Sequence, residues 1–203
     1  MRSVILAGGG ATRFEGRPKG LELVGGRRIL DRVADVLLEA LGTPPLVVAN
    51  APEAPDWRPD LEVVGDVRPG LGALGGIYTA VVKAPAPVVV VAWDMPFLGA
   101  SLIRALAGGL ADADACLPSS GGPRGAEPLC AAYGPACRPA IEQCLAEGDL
   151  RAIGFHRFIR VGILPIESVS ALVDPALAFF NVNTANDLAE AEASWQARAS
   201  SRS

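Results

Sequence analysis

Histidine is almost missing from this chain: His156 is the only one in 203 residues. A Ser-His-Asp hydrolase or a metal centre built on two histidines cannot be assembled from a single imidazole. His156 is expected to be a surface or hydrogen-bonded structural residue, with a lone general base as the alternative. Lysine is nearly as scarce, Lys19 and Lys83 being the only two among 18 lysines and arginines. The four cysteines, Cys116, Cys130, Cys137 and Cys144, form no C-x-x-C pair and lie among apolar residues. That context fits reduced residues in or near the core rather than a disulfide or metal role. Long hydrophobic runs are lacking too. The longest, Pro87 to Trp93, is far too short to span a bilayer, and the apolar stretch after Met1-Arg2 reaches glycine too soon for a signal peptide. The protein is therefore expected in the cytoplasm, without a membrane partner. A net charge of −4, a pI near 5.1 and the absence of a basic cluster argue against nucleic acid. No repeat, low-complexity segment or interdomain linker is evident.

What the chain does contain is ample core material, with 50% apolar and 20% charged residues, which suits one domain over residues 1–197 and a disordered tail from Arg198. Val4 to Leu6 is a short apolar strand that breaks into glycines. Ile29, Leu30, Val33, Leu37 and Leu41 recur at helical spacing until Gly42-Thr43-Pro44-Pro45 stops them. Strands follow at Leu46 to Ala49 and Leu61 to Val64, separated by a proline-rich loop. Pro69 to Gly76 is a glycine-rich loop opening a helix through Ile77, Ala80, Val81 and Lys83. Val88 to Trp93 is an unbroken apolar run, the pattern of a strand buried on both faces of a parallel sheet. A helix over Leu102 to Leu110 follows. Strands at Ala113 to Leu117 and Pro128 to Tyr133, joined by a polar turn from Ser119 to Gly125, form a hairpin-like excursion over the site. Ala136 to Ala146 is helical, Phe179 and Phe180 end a strand, and Thr184 with Asp187 caps a helix over Leu188 to Trp195. Strands alternating with helices predict an α/β fold: a Rossmann-like, mostly parallel sheet between helix layers.

The chemistry is concentrated at three strand ends. Leu6 to Lys19 reads L-x-G-G-x-x-x-R-x-x-G-x-x-K. Adjacent glycines let backbone N–H groups approach an anion, and Arg13 and Lys19 add full charge. A Walker loop is excluded because Pro18 and Gly20 flank Lys19. A dinucleotide fingerprint is excluded because Arg13 stands where its third glycine belongs. An ammonium at the end of a glycine loop is the more telling in a chain so poor in lysine, since a compact charge reaches between phosphate oxygens more readily than a planar guanidinium. Asp94 follows the buried valine run directly, at the strand end where open α/β sheets bind ligands; it either meets a cation or caps the next helix. Asn181 and Asn183, spaced by two, point the same way. In a parallel sheet these ends converge. A glycine cradle, Lys19, Arg13 and one carboxylate suggest phosphate chemistry by positioning and metal assistance, with Asp94 holding Mg²⁺ and Lys19 and Arg13 countering charge on a leaving pyrophosphate. The second glycine loop either flexes or brings backbone close to a ligand. Arg151 and Arg157 beside His156 either hold a second anion or form a solvated face.

L-A-G-G-G-A-T-R-F-E-G-R-P-K-G-L, G-L-G-A-L-G-G-I, W-D-M-P-F-L, E-P-L-C-A-A-Y and F-N-V-N-T-A-N-D-L occur in that order between Val4 and about Ala193. Together they resemble the nucleotidyltransferase family that contains molybdenum cofactor guanylyltransferase. The opening motif alone defines only the wider sugar-phosphate nucleotidyltransferase superfamily. The resemblance implies a three-layer fold of the nucleotide-diphospho-sugar transferase type. It also implies transfer of GMP from GTP to molybdenum-bound molybdopterin, giving the guanine dinucleotide cofactor and pyrophosphate. On matching positions, Leu6, Ala7, Gly8 and Gly9 line the nucleotide, Lys19 meets its phosphates, Asp94 coordinates Mg²⁺, and Asn50 and Asp66 bind the base. A carboxylate can accept from both N1–H and the exocyclic amine of guanine, so Asp66 suits that place. Arg13, Gly72, Gly76, Asn181 and Asn183 match further positions in the cleft. Molybdenum-cofactor synthesis proteins and chaperones of apo-molybdoenzymes are the implied protein partners. Glu15 and Phe14, where the family has glycine and methionine, and Ala92-Trp93, where cysteine is common, depart from the pattern. The open alternatives are a cytidylyltransferase, a sugar-1-phosphate nucleotidyltransferase and a non-catalytic nucleotide or pterin carrier.

Overall fold

The computed structural model describes residues 1–8, 18–84, 87–121 and 125–200. Gly9, Arg13, Phe14 and Glu15 lie outside the described residues, as does the centre of the turn expected between Ser119 and Gly125.

The chain opens with β1 (Arg2–Leu6) and, after a 3-10 turn at Lys19–Leu21, a small hairpin of β2 (Leu23–Val24) and β3 (Arg27–Arg28). Helix α1 (Ile29–Leu41) ends at Gly42, whose φ of 71° a glycine adopts without strain. Then come β4 (Leu46–Val48), a one-turn α2 (Ala54–Trp57), β5 (Val63–Val64), α3 (Gly72–Lys83), β6 (Val88–Ala92), α4 (Ala100–Gly108), β7 (Ala115–Pro118), β8 (Cys130–Tyr133), α5 (Cys137–Ala146), β9 (Val161–Leu164), α6 (Ile166–Ser170), α7 (Pro175–Ala178) and α8 (Ala185–Ser200).

Seven strands make one sheet in the order β5-β4-β1-β6-β8-β7-β9, and every strand but β8 runs the same way. Alternation along β6 shows why its valine run is central. Val89 and Val91 face a core shared with α1, α4 and α8, while Val88 and Val90 face a second core shared with α3 and α5. The fold is α/β with a mostly parallel sheet between two helix layers. Among the described residues no helix is long and apolar enough to cross a membrane.

Four sequence expectations are corrected. Gly72, Gly75 and Gly76 do not precede a helix but form the start of α3. Phe179 and Phe180 end no strand. Asp174 caps α7, its side chain accepting from Ala176 N–H at 3.0 Å, and Phe179 closes that turn, while the outer strand is Val161–Leu164. The excursion expected over the site is instead built into the sheet plane, because β8 pairs with β6 on one side and β7 on the other and is fully buried. Finally, α8 continues through Arg198 to Ser200, helped by alanines that favour helix and by Ser200 Oγ donating to Gln196 O at 3.1 Å. Residues 201–203 of the expected tail are outside the described residues.

Candidate active site

Because β5, β4, β1 and β6 are parallel neighbours, the residues just past them line one sheet edge in that order: Asp66, Asn50, Gly8 and Asp94. Three strand spacings separate the first from the last, about 14 Å. Leu6 and Ala7 are buried, Gly8 is exposed, and a Cβ added there would meet nothing within 4 Å.

Asp94 is 5% exposed. Lys19 Nζ donates to Asp94 Oδ2 and, at 2.9 Å, to Asn183 Oδ1. Three distant parts of the chain thus meet at one ammonium, and the buried carboxylate has the cation its burial requires. Two local devices hold this geometry. Val182 N–H donates to Asp94 O at 2.9 Å, tying the segment before α8 to the end of β6. The 3-10 turn of Lys19 packs closely against the Trp93 indole, where a Cβ on Gly20 would stand 2.3 Å from a ring carbon. Trp93 in turn stacks on Trp57, with centroids 5.0 Å apart. Asn181 donates its side-chain amide to Phe179 O at 2.8 Å and its main-chain carbonyl accepts from Asn183 Nδ2 at 3.4 Å, so its hydrogen bonds support the segment rather than reaching Lys19 or Asp94. The capping box expected from sequence is present: Asp187 accepts from the N–H groups of Asn183 and Thr184, and Asp187 N–H donates to Thr184 Oγ1.

At the other end of the row, Asn50 Nδ2 donates to Asp66 Oδ2 at 2.7 Å while Asp66 N–H donates to Asn50 Oδ1 at 2.8 Å. Thr79 Oγ1, fully buried on α3, donates to Asp66 Oδ1 at 3.2 Å and accepts from Val67 N–H at 3.0 Å. Gly76 has a packing reason to be glycine, since a Cβ would stand 3.0 Å from Leu6 Cδ1, and it lets α3 settle over the end of β1. Gly72 has a backbone reason, a φ of 58°. The start of α3 lacks a side-chain cap, so its first N–H groups add positive potential at this edge.

A divalent cation needs an oxygen with acceptor capacity to spare. Asp94 Oδ1 is buried and has no hydrogen-bond partner among the described residues. No cluster of three His, Cys, Asp or Glu side chains placed to hold a metal occurs among those residues either. One spare carboxylate oxygen fits a hard cation that draws its other ligands from phosphates and water, and does not fit a closed structural metal.

The basic segment is elsewhere. Arg151 and Arg157 pair with Asp149, Arg157 also with Glu147, and their hydrogen bonds hold the Asp149 carboxyl far below the usual carboxylate range. They lie between α5 and β9, and their side chains are taken up by these carboxylates rather than by the row of Asp66, Asn50, Gly8 and Asp94. His156 packs its edge against Phe155 at 4.7 Å, and burial pushes its pKa down. Exposed ion pairs of this kind contribute little. Arg157→Ala should leave nucleotide turnover within about twofold and barely move the midpoint of a denaturation curve. All four cysteines are buried and free, with burial pushing the Cys130 and Cys137 thiols up to about 12, so they are inert core residues.

Gly20, Trp93 and Thr79 contribute to the site without standing out in the sequence. Glycine directly after the lysine is the one signal of close approach the sequence offers at Gly20. No comparable signal marked Thr79, thirteen residues from the carboxylate it touches.

A family model described as a MobA-like NTP transferase domain matches residues 3–160. A probable molybdenum cofactor guanylyltransferase of Pelotomaculum thermopropionicum is 38% identical over 189 residues, which cover 93% of this chain and 90% of that protein. A molybdenum cofactor guanylyltransferase of Desulfosudis oleivorans is 32% identical over 197 residues, covering 96% of this chain and 95% of its own length. Among solved structures, molybdopterin-guanine dinucleotide biosynthesis protein A from Archaeoglobus fulgidus shares the fold with a TM-score of 0.81 at 24% identity, over 97% of this chain and all of that one. With a row of polar groups along one sheet edge and a match of this extent, the chain belongs to the MobA-like NTP transferase family.

Proposed function

We propose that the protein is a molybdenum cofactor guanylyltransferase that transfers GMP from GTP to the phosphate of molybdenum-bound molybdopterin. A phosphate oxygen of the acceptor forms a bond to the α-phosphorus of GTP, the bond from that phosphorus to the β-phosphate bridging oxygen breaks, and pyrophosphate leaves with the electron pair. The single observation that carries this reading is the meeting of Lys19, Asp94 and Asn183 at the end of β6, in line with the Asn50–Asp66 pair. Near-full-length similarity to proteins named for this activity supports it.

This reading gives parts to the chain's own groups. Asp66 and Asn50 receive guanine, Leu6, Ala7, Gly8 and Gly9 border the nucleoside and its phosphates, and Gly72 and Gly76 shape the wall behind them. Among the described residues Lys19 gives two of its three ammonium donors to Asp94 and Asn183, and the third is the one this reading directs to a phosphate oxygen. Lys19 and Arg13 offset negative charge growing on the departing pyrophosphate. Asn181 and Asn183 sit where the pterin acceptor approaches. Asp94 would hold Mg²⁺ through Oδ1; when bound, the ion supplies neutralising charge to the phosphates. Proteins of molybdenum cofactor synthesis and chaperones of apo-molybdoenzymes are the partners this role calls for.

Pyrophosphate release from GTP with Mg²⁺ and molybdenum-molybdopterin tests the proposal directly. GTP should support turnover well above CTP. Equal rates with CTP would transfer the protein to the cytidylyltransferases, and nucleotide binding without pyrophosphate under any acceptor would make it a carrier. Asp66→Asn, which turns one acceptor oxygen into a donor, should lower kcat/KM for GTP by about 10- to 100-fold through KM.

A further inference from the structure

Guanine differs from hypoxanthine only by the exocyclic 2-amino group, so discriminating between them requires both carboxylate oxygens of Asp66 to face the base at once. A carboxylate on a short side chain rotates easily and needs an anchor on each oxygen to hold that plane. Two anchors are present. Asn50 Nδ2 donates to Oδ2 at 2.7 Å and Thr79 Oγ1 donates to Oδ1 at 3.2 Å. Each oxygen accepts one hydrogen bond here and keeps a second acceptor position. The Asn50 side of the clamp is reinforced by the bond returning from Asp66 N–H. The Thr79 side stands on the fully buried hydroxyl, which also accepts Val67 N–H at 3.0 Å and so fixes the backbone just after Asp66. Its mounting on α3 makes the anchor rigid, because that helix packs Leu74, Ile77 and Ala80 into the core with no exposure.

We propose that Thr79 is a specificity-determining positioning residue, holding the Asp66 carboxylate plane so that both oxygens meet the 2-amino and N1–H groups of guanine. Thr79 touches no substrate itself. Without its hydroxyl, Asp66 is held on one oxygen only and is free to turn, so it meets N1–H but not reliably the amine. The consequence is loss of selectivity for guanine over hypoxanthine rather than uniform loss of binding. This inference rests on the proposed placement of the base at Asp66.

Equilibrium binding of GTP and of ITP, each with Mg²⁺, decides it without needing the acceptor. The wild-type protein should bind GTP about tenfold or more tightly than ITP, the value of one hydrogen bond to a charged group. Thr79→Val should bring the ratio of the two Kd values to within about twofold of one, and Thr79→Ser, which keeps the hydroxyl, should restore the wild-type ratio. If the valine variant does not fold, Thr79→Ala serves in its place, since it removes the hydroxyl with less crowding. A hydroxyl-free variant that folds and keeps the wild-type ratio overturns the proposal. A wild-type protein that does not distinguish GTP from ITP, or an Asp66→Asn variant that still does, would instead show that the base does not sit at Asp66, and so separates the two failures.

Discussion

Asp94→Ala lowers pyrophosphate release from GTP by on the order of 10³-fold or more while the protein remains folded. The carboxylate is 5% exposed at the end of the innermost valine strand, and its Oδ1 has no partner among the described residues. An oxygen buried without a partner is costly in a group that serves only packing. The fold survives because β6 is held by β1 and β8, and the bond from Val182 N–H goes to the Asp94 main-chain oxygen, which alanine keeps. Lys19 retains Asn183 as a partner and is partly exposed, so its charge is not stranded. Steady-state pyrophosphate release, paired with circular dichroism of the same sample, checks both halves. Full activity in the folded variant would remove Asp94 from the mechanism.

Gly20→Ala is expected to reduce kcat about 100-fold, although the change adds one methyl group and no charge. That methyl would lie 2.3 and 2.5 Å from two carbons of the Trp93 ring, well inside contact distance. The ring cannot yield easily, being 4% exposed and stacked on Trp57. The backbone of the Lys19–Leu21 turn must lift instead, carrying the Lys19 ammonium away from Asp94 and Asn183. A displacement of about 1 Å at a positioned group costs about 100-fold in rate, and overpacking of this kind costs about 1–3 kcal/mol in stability. Thermal denaturation and kcat with GTP measure the two effects. A variant with the wild-type kcat would show that the turn does not set the position of Lys19.

Asp94 and Gly20 also differ in how far sequence reveals them. Asp94 stands out because an uninterrupted V-V-V-V-A run announces a strand buried on both faces, and whatever follows such a strand lies at a sheet edge. The lysine that ends the glycine motif is equally visible. Gly20 is legible only once Trp93 is known to lie above it, since nothing in spacing relates positions 73 residues apart. Thr79 is hidden for the same reason, as one apparently ordinary residue of an apolar helix. The errors at Phe179 and Phe180 have a related origin: two aromatics in sequence suit a strand by propensity, but the Asp174-Pro175 start winds the preceding residues into a helical turn.

Local chemistry in the sequence alone determined the α/β alternation, the central strand, the helix stops at glycine and proline, the capping box, and the residue types gathered for phosphate chemistry. These follow from periodicity and from what each side chain can do to its own backbone. Tertiary structure alone decided that Lys19 grips Asp94 and Asn183, that Asn50, Asp66 and Thr79 form one clamp, and that Arg151 and Arg157 direct their charge to Asp149 and Glu147. The physical reason is that hydrogen bonds and ion pairs act over about 3 Å in space and are indifferent to separation along the chain. Only the order and direction of strands in the sheet bring such groups within that reach.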